Sequence, residues 1–141
     1  MRRRLTRTGN RVGVWLYRHL DGRLASGRKG VHVLLITTPG RHTGTPRSTC
    51  VRFLDSGGAL VVWGTGAGAP RDPDWFQNLR AADRVDVEVG ADRFRTRPRE
   101  LVGAERDATW NETVLAEAPG VAKYARTAGR PIPVAVLERL D

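Results

Sequence analysis

Short stretches in which apolar and polar residues alternate most constrain how this chain folds. In residues 85–89, Val85, Val87 and Val89 alternate with Asp86 and Glu88, which is the period of a strand with one buried face. Turn-forming residues bound such stretches, as in the Asp-Ser-Gly-Gly run at residues 55–58 and the Gly-Ala-Asp run at residues 90–92. The pattern predicts strands at residues 31–38, 48–54, 59–64, 85–89, 93–101 and 133–140.

Helical patterns fall before, between and after these strands. They predict helices at residues 10–20, 74–80, 103–118 and 121–128, with Asn10 capping the first and Asp74 capping the second. Because antiparallel hairpins dominate and the helices stand apart from them, we expect an α+β fold around a small barrel. The length of 141 residues matches one domain with one core.

Composition indicates a globular domain that needs no covalent or metal staple. The single cysteine, Cys50, excludes an intramolecular disulfide and a multi-thiolate metal site. The longest apolar run, residues 31–36, is much shorter than the roughly 20 residues that a membrane-spanning helix needs. No apolar segment follows the basic first residues, so we expect no secretory signal and a cytoplasmic protein.

Positive charge is concentrated near the N-terminus. The formal net charge is +9, and residues 1–30 carry nine basic side chains against one acidic side chain, Asp21. We therefore distinguish a basic arm with an amphipathic helix (residues 1–30) from a nearly neutral barrel domain (residues 31–141). The neutral body argues against nucleic acid as a partner. The arm fits peripheral attraction to an anionic membrane, and it fits a merely solvated terminus equally well.

Familiar catalytic signatures are missing from the sequence. It contains no G-x-S-x-G, H-E-x-x-H, Walker or G-x-G-x-x-G motif. His19, His32 and His42 lack metal-ligand spacing, so we interpret each as a packed or surface residue. Cys50 lies in a predicted strand without a basic neighbour, which favours an inert thiol. Two loops remain as candidates for chemistry.

The first candidate is the basic loop, residues 40–47. Its glycines permit close approach of the backbone, and Arg41, Arg47 and two threonine hydroxyls can donate to oxyanions. The second is residues 67–79, where the small-residue loop (residues 65–73) leads into a helix with Trp75 and Asn78. A planar group can lie on the small residues while an anionic group faces the helix start. Alone, each segment also fits an ordinary connection or a capped helix; together they indicate a ligand with a planar head and an anionic tail.

Five runs, in order along the chain, carry a resemblance to a known family. They are LLITTPGRHTGTPR (residues 34–47), GAPRDPDWFQNLRA (68–81), VEVG (87–90), FRTRPREL (94–101) and PIPVAVLE (131–138). The WLYR run at residues 15–18 also looks like the family's leading helix. On these runs the chain resembles the deazaflavin-dependent nitroreductases, within the split β-barrel flavin and deazaflavin oxidoreductases.

The resemblance implies a split β-barrel of the FMN-binding type and a deazaflavin cofactor. The implied cofactor is coenzyme F-420, whose tail carries a phosphate and a polyglutamate chain; FMN is the less favoured cofactor, and no metal is implied. Arg41, Thr43 and Arg47 match the positions at which the family binds the phosphate. The positions that hold the ring and the adjoining tail are matched by Ala67, Gly68, Ala69, Trp75 and Asn78.

The resemblance further implies hydride transfer from reduced F-420 to a small-molecule acceptor: a quinone, an enone or a nitro compound. Family members that reduce nitroimidazoles carry a Y-P-x-Y-x-x-Y pattern, where this chain has Ala118, Val121 and Tyr124. Tyr124 is therefore the candidate catalytic residue, with Val121 expected to line the same wall, and a quinone-like lipophilic acceptor is favoured. A non-catalytic carrier of deazaflavin, flavin or lipid is the alternative, and we expect a monomer or a homodimer.

Overall fold

The computed structural model describes residues 32–140, in which six strands close into an antiparallel barrel. Their order around the barrel is β1-β2-β3-β6-β5-β4, and β4 pairs with β1 to complete the ring. The bounds are β1 His32–Pro39, β2 Pro46–Ser56, β3 Ala59–Trp63, β4 Val85–Val89, β5 Asp92–Glu100 and β6 Val134–Arg139. The expected α+β barrel is confirmed, and the strand ends lie within two residues of those predicted.

Alternate residues of the strands fill the inside of the barrel. Leu34 and Ile36 of β1 are fully buried there, together with Phe53, Val62, Val87 and Leu137 from the other strands. Large apolar side chains from the whole ring therefore occupy the interior, as is usual in small barrels. A ligand as large as a coenzyme must consequently bind outside the barrel or at one of its ends.

Helix α1, Asp74–Ala81, closes one end of the barrel by inserting Phe76 and Leu79 into the interior core. The prediction that Asp74 caps this helix is wrong. Pro73, in extended backbone, is the N-cap, and Asp74 is the first helical residue. Proline is pre-set for such an entry because its φ is fixed. The carboxylate of Asp74 lies instead 3.2 Å from the guanidinium of Arg41.

The later helices pack on the outside of the barrel. They are α2 Gly103–Thr109, a π-helical turn Trp110–Val114, α3 Leu115–Glu117 and α4 Ala122–Ala128. Trp110 and Val114 are buried against Trp63 of β3 and Val134 of β6. The predicted helix over residues 103–118 therefore has the right extent but is not uniformly α-helical.

The antiparallel order brings the long connections to a single end of the barrel. Residues 40–45, 64–84 and 101–133 all join strands at the end that α1 closes, which we call the loop end. At the opposite end, the hairpin end, β2–β3 and β4–β5 are joined by two-residue turns, and Gly57 and Gly58 both have positive φ there. Both candidate loops of the sequence analysis thus lie at the loop end.

Some predictions fall on residues that the structure does not describe. The helix at residues 10–20, the basic arm (residues 1–30) and His19 lie outside residues 32–140, so they remain predictions. Within residues 32–140, none of the helices combines the length and the apolar character that crossing a membrane requires.

Candidate functional site

The two loops are joined by a contact between Arg41 and Asn78. Both the backbone N–H and the guanidinium of Arg41 donate to the side-chain oxygen of Asn78, at 3.2 and 2.8 Å. Asn78 is buried, and the same guanidinium also reaches the carboxylate of Asp74. Hydrogen bonds to charged groups are the stronger kind, so the basic loop is held firmly against α1. Residues that the sequence separates by 37 positions therefore form one site.

The rest of the basic loop is a compact turn with exposed polar side chains. Gly40 N–H donates to the carbonyl of Thr45 at 2.9 Å, and Gly44 N–H donates to the carbonyl of Gly40 at 2.7 Å. The hydroxyl of Thr43 accepts from the N–H of Thr45 at 3.2 Å, and Thr43 and Arg47 are both exposed. These two side chains face solvent, where an anion can reach them.

The small-residue loop has an unusual backbone. Gly66, Ala67 and Gly68 have φ angles of 56°, 56° and 88°, so three successive residues are left-handed. Alanine adopts this region at a cost of roughly 1–2 kcal/mol, and such strain is frequent at functional sites. N–H groups within the turn bond back to it, from Gly68 to Thr65 at 3.0 Å and from Ala69 to Gly66 at 3.1 Å.

Gly68 is required by close packing as well as by its backbone angle. A Cβ at this position would lie 3.1 Å from Thr127 and 3.6 Å from the carbonyl oxygen of Tyr124. Helix α4 therefore rests directly on the small-residue loop. Gly66 and Ala67 are exposed and Ala69 is half-buried, and because none of them carries a side chain larger than a methyl group, they form a low surface that a flat ring can approach.

The remaining predicted residues lie in different surroundings. Tyr124 is half-buried on α4, and the amine of Lys123 lies 5.0 Å from its ring centroid. Trp75 is half-buried on α1 and packs edge-on against Phe76 with ring centroids 5.4 Å apart. The expectation for Val121 is wrong, because this residue is only 1% exposed and belongs to the core between the helices and the barrel.

Arg130 is a residue of this site that the sequence analysis does not identify. Its guanidinium, with a side chain only 13% exposed, pairs with the carboxylate of Asp72 at 2.7 Å and donates to backbone carbonyls of the small-residue loop. Asp72 also pairs with Arg80, whose hydrogen bond to Glu100 raises the pKa of that guanidinium. No motif signals Arg130, because its partners lie about sixty positions earlier and only the fold brings them together.

Other titratable candidates lie away from these loops. Burial, with a smaller contribution from Glu88, raises the pKa of the Cys50 thiol, which is therefore protonated at neutral pH. No cluster of His, Cys, Asp or Glu in residues 32–140 is arranged to hold a metal ion. A hollow of about 400 Å³ lies at the hairpin end between Phe53 and Phe94, and no predicted site residue lines it.

Comparisons with known proteins match this chain over most of its length. The family model described as F420H(2)-dependent quinone reductase matches residues 9–139. An F420H(2)-dependent quinone reductase of Mycobacterium tuberculosis (strain ATCC 25618 / H37Rv) is 32% identical over 127 residues, which are 88% of this chain and 85% of that protein.

Two solved structures extend the comparison to the fold. F420-H2 dependent reductase (FDR-A) has a TM-score of 0.66 and 29% identity, covering 75% of this chain and 93% of that chain. A structure described as a domain-swapped dimer has a TM-score of 0.68 and 26% identity, covering 90% and 96%. The class is therefore the split β-barrel oxidoreductases. Within it, this chain belongs to the F420H(2)-dependent quinone reductase family, and it is a reductase whose cofactor is coenzyme F-420.

The chemistry of the loop end fits this coenzyme. Arg41, Arg47 and Thr43 form a donor set suited to phosphate and carboxylate oxygens. The low surface of Gly66, Ala67 and Ala69 suits a planar ring, and Gly68, which has no room for a Cβ, lets α4 pack directly against this loop. The two loops, which are in contact, thus offer chemistry that suits an anionic tail and a flat ring.

Proposed function

We propose that this protein transfers a hydride from reduced F-420 to a conjugated, lipophilic acceptor, with quinones as the favoured substrate class. The observation that carries the proposal is the meeting of three elements at the loop end. Asn78 on α1 accepts from Arg41 of the basic loop at 2.8 Å. The carbonyl of Tyr124 on α4 lies 3.6 Å from the Cβ position of Gly68. An anion-binding loop, a flat backbone surface and a phenol-bearing helix therefore adjoin one another.

In this proposal the basic loop binds the coenzyme's tail. Thr43 and Arg47 are exposed and donate to its phosphate or carboxylate oxygens, while Arg41 is already oriented by Asn78. Asn78 therefore contributes mainly by fixing Arg41. Because the 3.2 Å contact with Asp74 partly neutralises Arg41, we expect Arg47 to supply the larger share of the attraction to an anion.

The small-residue loop receives the ring. Ala67 and Ala69 let the ring lie close to the backbone, and Gly68 lets α4 pack directly against them. In this proposal Trp75, at the start of α1, also contacts the ring. Reduced F-420, when bound, supplies two electrons and a proton together as a hydride. The protein's part is to bind and orient both partners so that the reacting atoms are about 3–3.5 Å apart.

Tyr124 serves the acceptor. Reduction of a quinone to a hydroquinone consumes one hydride and one proton, and a phenol beside the acceptor oxygen can donate that proton and recover it from solvent. The two other positions of the family's tyrosine pattern hold Ala118 and Val121, which are 4% and 1% exposed. Of the three positions of that pattern, Tyr124 alone then offers a phenol to the acceptor, which favours quinones and enones over nitro compounds.

The test is a binding titration followed by turnover with a panel of acceptors. We expect the purified protein to bind oxidised F-420 saturably, and to oxidise reduced F-420 when a quinone is added. A nitroimidazole should react more slowly, and FMN should not replace F-420. Tight binding of F-420 without turnover on any quinone or enone would instead indicate a carrier of the coenzyme.

For location and assembly we propose peripheral membrane binding through the basic arm, and either a monomer or a homodimer. Nine basic side chains against Asp21 in residues 1–30 support the first part. Removal of residues 1–9 should weaken binding to vesicles that contain phosphatidylglycerol and leave turnover of a water-soluble quinone unchanged. Equal binding to neutral vesicles would contradict the membrane role of the arm. Light scattering on the purified protein distinguishes the monomer from the homodimer.

A further inference from the structure

The guanidinium of Arg130 forms hydrogen bonds with the small-residue loop and with the residue before it. Its Nε donates to the carbonyl of Ala69 at 3.1 Å, and Nη2 donates to the carbonyls of Gly64, Thr65 and Arg71 at 3.3, 3.2 and 2.9 Å. Nη1 donates to the carboxylate of Asp72 at 2.7 Å. One buried side chain therefore gathers four backbone carbonyls and a carboxylate from a segment of nine residues.

These contacts decide which way the peptide groups of the loop face. The chain has no cis peptide among the described residues, and in a planar trans peptide the carbonyl and the following N–H point in opposite directions. Because the carbonyls of Gly64 and Thr65 face Arg130, the N–H groups of Thr65 and Gly66 point away from it. The loop thus turns its carbonyls inward and these two donors outward.

The contacts of Arg130 with residues 64–72, which we call the clasp, are also anchored to the barrel. The second oxygen of the Asp72 carboxylate accepts from Arg80 at 2.9 Å, and Arg80 donates to both oxygens of Glu100 at 2.7 and 2.9 Å. Glu100 is the last residue of β5. Arg130, Asp72, Arg80 and Glu100 therefore link the small-residue loop through α1 to a strand of the barrel.

We propose that Arg130 is a positioning residue for the coenzyme: its buried guanidinium holds residues 64–72 in the one conformation that receives the ring. This rests on the proposed function. It explains how three left-handed residues in succession persist in a loop, since the surrounding contacts over-determine them. It also assigns Arg130 a role in affinity for the coenzyme, beyond a contribution to stability.

The test compares Arg130→Lys with Arg106→Lys. Arg106 is a matched control, because its side chain is 17% exposed and its guanidinium donates to the carbonyl of Ile132 at 3.0 and 2.6 Å, away from the small-residue loop. A lysine keeps the charge but cannot present five donors in a planar fork, so both variants lose backbone contacts. Three quantities are measured: melting temperature, Kd for oxidised F-420 by calorimetry, and amide hydrogen exchange of residues 64–72 without coenzyme.

We expect both variants to melt at a lower temperature, and only Arg130→Lys to bind F-420 at least tenfold more weakly, with KM for the reduced coenzyme rising in parallel. Faster exchange at residues 64–72 should appear in Arg130→Lys alone. Asp72→Asn, which weakens the clasp without altering Arg130, should show the same pattern to a smaller degree.

Unchanged Kd in Arg130→Lys and Asp72→Asn, with melting temperatures lowered as in Arg106→Lys, would overturn the positioning role. The failure of the proposed function looks different. In that case the unsubstituted protein does not bind F-420 or reduce a quinone, whereas exchange at residues 64–72 still depends on Arg130.

Discussion

The basic loop and the small-residue loop lie side by side at one end of the barrel, yet they are built in opposite ways. The basic loop presents exposed donors on a short turn, and Thr43 and Arg47 face solvent. Residues 66–69 of the small-residue loop carry no side chain larger than a methyl group, and the backbone of the loop is held by hydrogen bonds from Arg130. One loop is suited to recognition by charge and the other to recognition by shape.

The proposed function relates this difference to the two ends of the coenzyme. A flexible anionic tail can be recognised by charge-assisted hydrogen bonds from exposed arginine and threonine side chains. A rigid planar ring gains affinity from a surface that is already formed, because ordering a loop on binding opposes the association. Substitutions in the two loops should therefore weaken coenzyme binding with different dependence on salt.

The largest expected effect lies outside both loops, at Tyr124. If the loops only bind the coenzyme and Tyr124 serves the acceptor, Tyr124→Phe should lower turnover by about tenfold to a hundredfold and leave F-420 affinity unchanged. Single-turnover hydride transfer and melting temperature, measured on one preparation, check this. A lower melting temperature with a full single-turnover rate would mean that the phenol only packs α4 on the barrel.

The next largest effect tests whether the charge of the basic loop attracts the coenzyme's tail. Arg47→Ala removes one charge-assisted contact to an oxyanion, which should weaken F-420 binding by about tenfold. The salt dependence of the remaining affinity should also become shallower. Arg52→Ala is the control, because Arg52 is exposed on the same strand nearer the hairpin end. Equal losses in the two variants would show that general charge, not the basic loop, attracts the tail.

How much of the fold and of the candidate site the sequence predicts depends on how far apart along the chain the interacting residues lie. Alternation along β4 and the turn residues at Gly57 and Gly58 are local signals, and the strands follow from them. The glycines, arginines and threonines of residues 40–47 are also a local signal, and they predict the basic loop. The Arg41–Asn78 contact and the clasp of Arg130 depend on the closure of the barrel, so no local pattern reveals them.

Two further misses have physical causes of the same kind. Helical spacing places Val121 near Tyr124 and so predicts that it lines the wall of an acceptor site, but packing against the barrel buries it. The sequence pattern predicts Asp74 as the helix cap, but Pro73 is the N-cap and the carboxylate of Asp74 pairs with Arg41. In both cases a tertiary contact overrides a sound local preference.

A smaller effect tests recognition by shape, with Gly68→Ala against Gly58→Ala. The two glycines have φ of 88° and 89°, so each alanine should lower stability by about 1–2 kcal/mol. A Cβ at Gly68 meets Thr127 at 3.1 Å, whereas a Cβ at Gly58 meets nothing within 4 Å. Only Gly68→Ala should weaken F-420 binding, by about fivefold, and the salt dependence should stay unchanged. Equal affinity in the two variants would contradict recognition by shape at this loop.

The smallest effect concerns Ala67, which is left-handed without being glycine. Ala67→Gly removes the strain of an alanine at φ 56° but adds freedom to the unfolded chain, so the net gain in stability should be about 0.5–1 kcal/mol. Ala69→Gly is the control, because Ala69 has φ −61° and ψ 148° and carries no such strain; it should lose about 0.4–1 kcal/mol. Thermal melting distinguishes the opposite signs. Since Arg130 holds the carbonyls on both sides of residue 67, F-420 affinity in Ala67→Gly should stay within about twofold of the parent. A larger loss of affinity in this more stable variant would mean that the alanine itself shapes the ring surface, and that the clasp alone does not fix the loop.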